Sequence, residues 1–123
     1  MFKVLIIDDS ETLLEVLQYA FEKYQMEVFI AKTQTQIQTS LKENNFDLII
    51  SDLSFSEFDG ISLAKYLRKE IKNKTPLFLM AKNNKAEIKL QAKEAGADGW
   101  ILKPFIAELL AKNIRKYLKY QTK

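Results

Sequence analysis

The stretch Val4-Leu5-Ile6-Ile7-Asp8-Asp9-Ser10 is an unbroken apolar run that stops on two adjacent carboxylates and a hydroxyl. A run this short, apolar at every position instead of alternate ones, suits a parallel strand covered on both faces. Four further runs share that character: Val28-Phe29-Ile30-Ala31, Leu48-Ile49-Ile50, Leu77-Phe78-Leu79-Met80 and Trp100-Ile101-Leu102. Between them lie longer segments with helical spacing. Leu13, Val16, Leu17, Ala20, Phe21 and Tyr24 form one stripe, Leu63, Ala64, Leu67 and Ile71 another, and Ile106, Leu109, Leu110, Ile114, Tyr117 and Leu118 a third. The segments around Ile37 and Leu41, and around Ile88 and Leu90, are helical but thinner in apolar residues. Five strands alternating with five helices predict a doubly wound five-stranded parallel α/β sheet, in the order 2-1-3-4-5.

The punctuation agrees. Ser10 and Thr33 stand where helix N-caps are needed, and Asp59-Gly60 reads as a turn into the third helix. Pro76 opens the fourth strand, where a missing N–H is tolerated, and Gly96 follows Ala95 as a helix stop.

Composition narrows the chemistry. With 123 residues the chain suits a single domain, 1–123, which buries roughly two thirds of its unfolded surface. It has neither cysteine nor histidine, so thiolate metal sites, disulfides and imidazole bases are excluded. Reactions must run on carboxylates, hydroxyls, lysines and backbone groups. No apolar run is long enough for a signal sequence or a membrane span, which places the expected compartment in the cytoplasm. The net charge of +3 indicates solubility and by itself names no partner.

Ligands in an open parallel sheet bind beyond the carboxyl ends of the strands, where the strand order reverses. Asp8 and Asp9 finish the first strand, Asp52 finishes the third, and Lys103 follows the fifth. Strands one and three are neighbours in this order, so the carboxylates should converge. Carboxylates packed together repel unless something positive sits among them. Magnesium, which takes one or two carboxylates, waters and phosphate oxygens, is the natural ion. A free carboxylate beside it can attack phosphorus and become an aspartyl phosphate.

Residues Val4–Ser10, Asp47–Gly60 and Ala95–Phe105 resemble the signature segments of response-regulator receiver domains, the flavodoxin-like family of the chemotaxis regulator. The likeness covers essentially the whole chain. It implies that Asp52 is the phosphoacceptor, that Asp8 and Asp9 are the magnesium-binding pair, and that Lys103 contacts the phosphoryl group. It also implies a metal ligand in the Ser54 backbone carbonyl, a sensor histidine kinase as donor, and an unspecified output protein or domain.

The end of the fourth strand and the loop after the third depart from the family's pattern. Counting without gaps from Pro76 to Gly96 puts Ala81 where receivers carry Thr or Ser, and Lys82 next to it. Lys82 could supply a cation, obstruct access or point to solvent; the sequence leaves these open. Trp100 occupies the position of an aromatic that often reports activation, or simply packs the last strand. The loop Leu53-Ser54-Phe55-Ser56-Glu57-Phe58 lacks the usual Met-Pro, and Phe55 and Phe58 either fold onto the sheet or present a partner surface.

On the last helix Lys112, Arg115, Lys116 and Lys119 recur opposite the apolar stripe, as a solvated face or a docking face for an acidic partner. Nothing reads as nucleic-acid recognition. Besides a phosphorylation switch, the alternative is a pseudo-receiver, an interaction module without productive switching, for which Ala81 speaks. A flavin carrier conflicts with Asp8-Asp9, which would repel its phosphate. A haloacid-dehalogenase-type phosphatase lacks its Asp-x-Asp, because Asp8-Asp9-Ser10 does not supply one.

Overall fold

The computed structural model describes residues 1–54 and 59–121. Strands β1 (Phe2–Ile7), β2 (Met26–Ala31), β3 (Leu48–Asp52), β4 (Leu77–Ala81) and β5 (Gly99–Leu102) form one parallel sheet. Its order, β2-β1-β3-β4-β5, is the expected one. Helices α1 (Glu11–Lys23), α2 (Gln34–Glu43), α3 (Gly60–Lys65), α4 (Ala86–Ala95) and α5 (Ala107–Gln121) connect and follow the strands.

The runs are apolar throughout because each face of the sheet carries its own core. Val4, Ile6, Leu48, Ile50 and Met80 point to the side covered by Leu14, Leu17 and Phe21 of α1 and Ile114 and Leu118 of α5. Leu5, Ile7, Ile49, Leu77 and Leu79 point the other way, onto Ile37, Leu63, Leu67 and Ala92. Adjacent residues of a strand face opposite sides, so both sets must be hydrophobic.

The two caps read at Ser10 and Thr33 form, and Asp59, read as a turn residue, is a third. Ser10 Oγ accepts the Leu13 N–H at 3.3 Å, Thr33 Oγ1 the Gln36 N–H at 3.1 Å, and Asp59 Oδ1 the Ser62 N–H at 2.7 Å. Gly96 ends α4 at φ +114°, where an added Cβ would also meet Arg68 Cγ at 2.5 Å.

The third apolar stripe does not run to its end. After α3 the chain widens into a π-helical turn over Tyr66–Glu70, and Ile71, expected on the core face, is 39% exposed. A π turn rotates successive residues by a smaller angle, so a stripe drawn at α-helical period drifts off the core beyond it. Val16, Ile106 and Leu109, also placed on apolar stripes, are exposed as well, as is Leu90 of the thinner fourth helix.

Arg68, within the π turn, ties together the lower ends of several elements. It donates to the carbonyls of Gly96 (3.1 Å), Asn73 and Thr75 (both 2.8 Å) and to Asp98 Oδ2 (2.8 Å). Asp98 Oδ2 in turn accepts the Leu77 N–H at 2.9 Å at the entry to β4. Truncating this side chain strands several half-buried acceptors at once. Arg68→Ala is therefore expected to cost about 2–4 kcal/mol in urea unfolding, and a loss below about 0.5 kcal/mol would refute the hub.

Candidate phosphoryl-acceptor site

The crossovers bring the expected residues to one edge of the sheet. Asp8 follows β1 directly, and its backbone N–H donates to the Ala31 carbonyl at 3.3 Å. Its side chain is buried at 2% exposure; Oδ1 accepts the Ser10 N–H at 2.9 Å, and Oδ2 has no hydrogen-bond partner among the described residues. Asp52 is the last residue of β3 and is half-buried. Lys103 Nζ donates to Asp52 Oδ1 at 3.0 Å and lies 3.7 Å from Asp8 Oδ2. One ammonium thus bridges the ends of β1 and β3. The Lys103 N–H donates to the Ala81 carbonyl at 2.8 Å, and the Lys103–Pro104 peptide is cis.

Burial pushes the Asp52 carboxyl above its ordinary value. The hydrogen bond from Lys103 pulls it back, and the neighbouring Asp8 charge pushes it up again, so desolvation prevails.

Asp9 is exposed, next to the buried Asp8. Among the described residues no three acidic side chains stand in metal-holding geometry, and Lys103 Nζ reaches both Asp8 and Asp52. The donor set nevertheless fits a hard cation. A buried carboxylate oxygen without a donor is costly, and among the described residues Asp8 Oδ2 has none, at the pole where Asp52 ends its strand.

Ser54 forms an isolated antiparallel bridge with Asp59, and the adjoining hydrogen bond runs from the Gly60 N–H to the Leu53 carbonyl at 2.7 Å. The Ser54 carbonyl is not the acceptor of that bond. Phe55 and Phe58, singled out in the sequence, lie outside the described residues.

The other singled-out residues fall around this pole and beyond it. Ala81 closes β4 and is buried, offering only a methyl group. Trp100 is half-buried on β5; its indole N–H donates to the Asn83 carbonyl at 3.2 Å, which ties the last strand to the loop after β4.

The basic stripe of α5 is not uniformly solvated. Arg115 donates to the Tyr24 carbonyl at 3.2 Å and stacks 4.8 Å from the centroid of Phe2, clamping α5 to the end of α1. Lys112, Lys116 and Lys119 are exposed.

Sequence reading missed a groove beside the site, lined by Leu13, Val16, Lys82, Lys103, Pro104, Phe105 and Ala107. No local signal marks it, because Val16 reads as part of the apolar stripe of α1.

The family model described as the response regulator receiver domain matches residues 4–115. The chain is a response-regulator receiver domain. It is 27% identical over 117 residues, 95% of this chain, to the transcriptional regulatory protein SrrA of Staphylococcus aureus. The chain spans about half the length of that relative, 48%. Among solved structures it is similar to the chemotaxis response regulator CheY4 of Vibrio cholerae, at 30% identity and TM-score 0.86, covering 94% of this chain and 98% of that one. The receiver domain of Francisella response regulator 1452 gives 28% identity and TM-score 0.88 with both chains fully covered. A Clostridium difficile two-component response regulator, at 24% identity and TM-score 0.91 over both full chains, shares the fold. This receiver thus carries Asp8, Asp52 and Lys103 in mutual reach, together with an alanine at the end of β4. No helix among its described residues is long and apolar enough to cross a membrane.

Proposed function

We propose that this receiver accepts a phosphoryl group on Asp52 from the phosphohistidine of a sensor kinase in the cytoplasm, and that the modified form alters binding to an output protein or domain. The observation that carries this reading is the Lys103 Nζ contact of 3.0 Å to Asp52 Oδ1, at the pole where buried Asp8 Oδ2 lacks a donor among the described residues. A magnesium ion held by Asp8, Asp9, Asp52 and the Ser54 carbonyl would neutralise charge on the transferring phosphoryl oxygens.

The chain's own part is nucleophile, cation and shape. One Asp52 carboxylate oxygen attacks phosphorus as the bond from phosphorus to the donor nitrogen breaks. The leaving imidazole takes a proton from solvent, and Asp52 becomes a mixed anhydride. Lys103, already oriented by Asp52 and Asp8, follows the charge onto the new phosphoryl oxygens. No general base is needed, because a carboxylate attacks without losing a proton. The described residues form one sheet with helices on both faces, which supports a single receiver unit over 1–123. The reading is of a switch that takes part in its own phosphorylation, not of an enzyme acting on a separate substrate.

Intact mass after incubation with magnesium and acetyl phosphate tests it: a gain of one phosphoryl group is expected, and no gain overturns the reading. The pseudo-receiver alternative draws support from Ala81, which puts a methyl group where a hydroxyl donor is usual. It predicts an unchanged mass in the same experiment.

The proposed metal ligands have their own test. Asp9→Ala is expected to weaken magnesium binding, measured by calorimetry, by roughly tenfold or more. Equal affinity in the two proteins removes Asp9 from the site.

A further inference from the structure

Lys82 and Lys103 are laid side by side by the sheet. Ala81 of β4 pairs with Leu102 of β5, so the next residue on each strand is a lysine, and the Lys103 N–H donates to the Ala81 carbonyl at 2.8 Å. Both lysines line one mainly apolar cavity of about 590 Å³, with Leu13, Val16, Pro104 and Phe105 supplying most of the wall. Lys103 is already committed to Asp52 and Asp8. Lys82 is exposed and has neither an ion pair nor a hydrogen bond among the described residues.

Lys103 is matched by Asp52 and Asp8, whereas Lys82 has no acidic partner among the described residues, so the groove can answer additional negative charge. Phosphorylation brings it, replacing one carboxylate charge with a group of roughly two negative charges. We propose that Lys82 is a second phosphoryl-binding cation that replaces the hydroxyl missing at position 81; this rests on Asp52 being the phosphoacceptor. Its flexible stem carries the ammonium to the phosphoryl oxygens from a backbone position at the groove's rim, where apolar walls strengthen the attraction relative to open water. A threonine hydroxyl at 81, on a shorter arm, would meet the same oxygens only by drawing the end of β4 inward. Lys82 therefore supplies charge without displacing the backbone.

Charge must be separated from bulk. Lys82→Ala removes both, Lys82→Met keeps most of the bulk without charge, and Lys82→Arg keeps the charge. The readouts are beryllium trifluoride titration followed by NMR and phosphoryl uptake from acetyl phosphate followed by mass. Lys82→Met and Lys82→Ala are expected to bind the mimic about tenfold more weakly, while Lys82→Arg stays within about threefold of wild type. Lys82→Met matching wild type, or Lys82→Ala binding more tightly because a barrier has been removed, overturns the proposal and leaves the acceptor reading standing. A wild-type chain that takes up no phosphoryl group overturns that reading, and this proposal with it. Lys82 is exposed, so the variants are expected to retain the fold, which circular dichroism checks.

Discussion

Asp52→Asn is expected to abolish acyl-phosphate formation and, at neutral pH, to leave the protein at least as stable as wild type. Loss of uptake follows from chemistry, since an amide has no anionic oxygen to attack phosphorus. Stability follows from burial, which holds the Asp52 carboxyl above its ordinary value despite the 3.0 Å contact with Lys103. The folded chain thus keeps the Asp52 proton to a higher pH than the unfolded chain, whose carboxyl titrates at about 3.9. Folding is favoured by this group below about pH 3.9, and that contribution is lost as pH rises through the raised folded value. At neutral pH the ionised side chain is a net cost, and asparagine removes it. Urea unfolding in the presence of a chelator should show the variant's advantage near pH 7 and its decline as the solution is acidified. Phosphoryl uptake by Asp52→Asn equal to wild type would move the acceptor elsewhere. A variant less stable than wild type near pH 7 would show that the Lys103 pairing outweighs burial.

Ala81→Thr should enlarge the conformational response to phosphorylation without being required for the phosphorylation itself. The proposed chemistry draws on Asp52, Asp8 and Lys103, which are already within reach of one another. On the proposed reading, the response of the loop after β4, and of Trp100, whose indole N–H donates to the Asn83 carbonyl, would depend on a pull at the end of that strand. Buried Ala81 has nothing with which to pull. A ligand shifts a conformational equilibrium only by its differential interaction with the two states. A hydrogen bond to a charged oxygen contributes roughly 1.5–3 kcal/mol of such a difference, about tenfold to a hundredfold in population. With beryllium trifluoride bound, NMR shifts of α4 and β5 should be larger in Ala81→Thr than in wild type. A full response in wild type that threonine does not increase would refute weak coupling. Lys82 could then be sufficient for the switch as well as for the charge.

The order of strands and helices was legible in the sequence because its signals are local. A run apolar at every position, Val4–Ile7, means a strand covered twice, and Ser10, Thr33 and Asp59 cap helices through bonds spanning a few residues. Parallel strands beginning and ending in step then bring Asp8, Asp52 and Lys103 to one pole, so that convergence too followed from element order. Tertiary structure alone decided the rest. It opened the π turn that carries Ile71 off the core, and pinned Arg115 between Phe2 and the Tyr24 carbonyl instead of leaving it in solvent. It also buried Asp8 while leaving Asp9 exposed, and set Lys82 beside Lys103 over an apolar groove. Helical period, strand patterning and capping depend on neighbours within a few positions. Burial, orphaned oxygens and shared grooves depend on how distant segments close against one another, and local pattern carries no record of that closure.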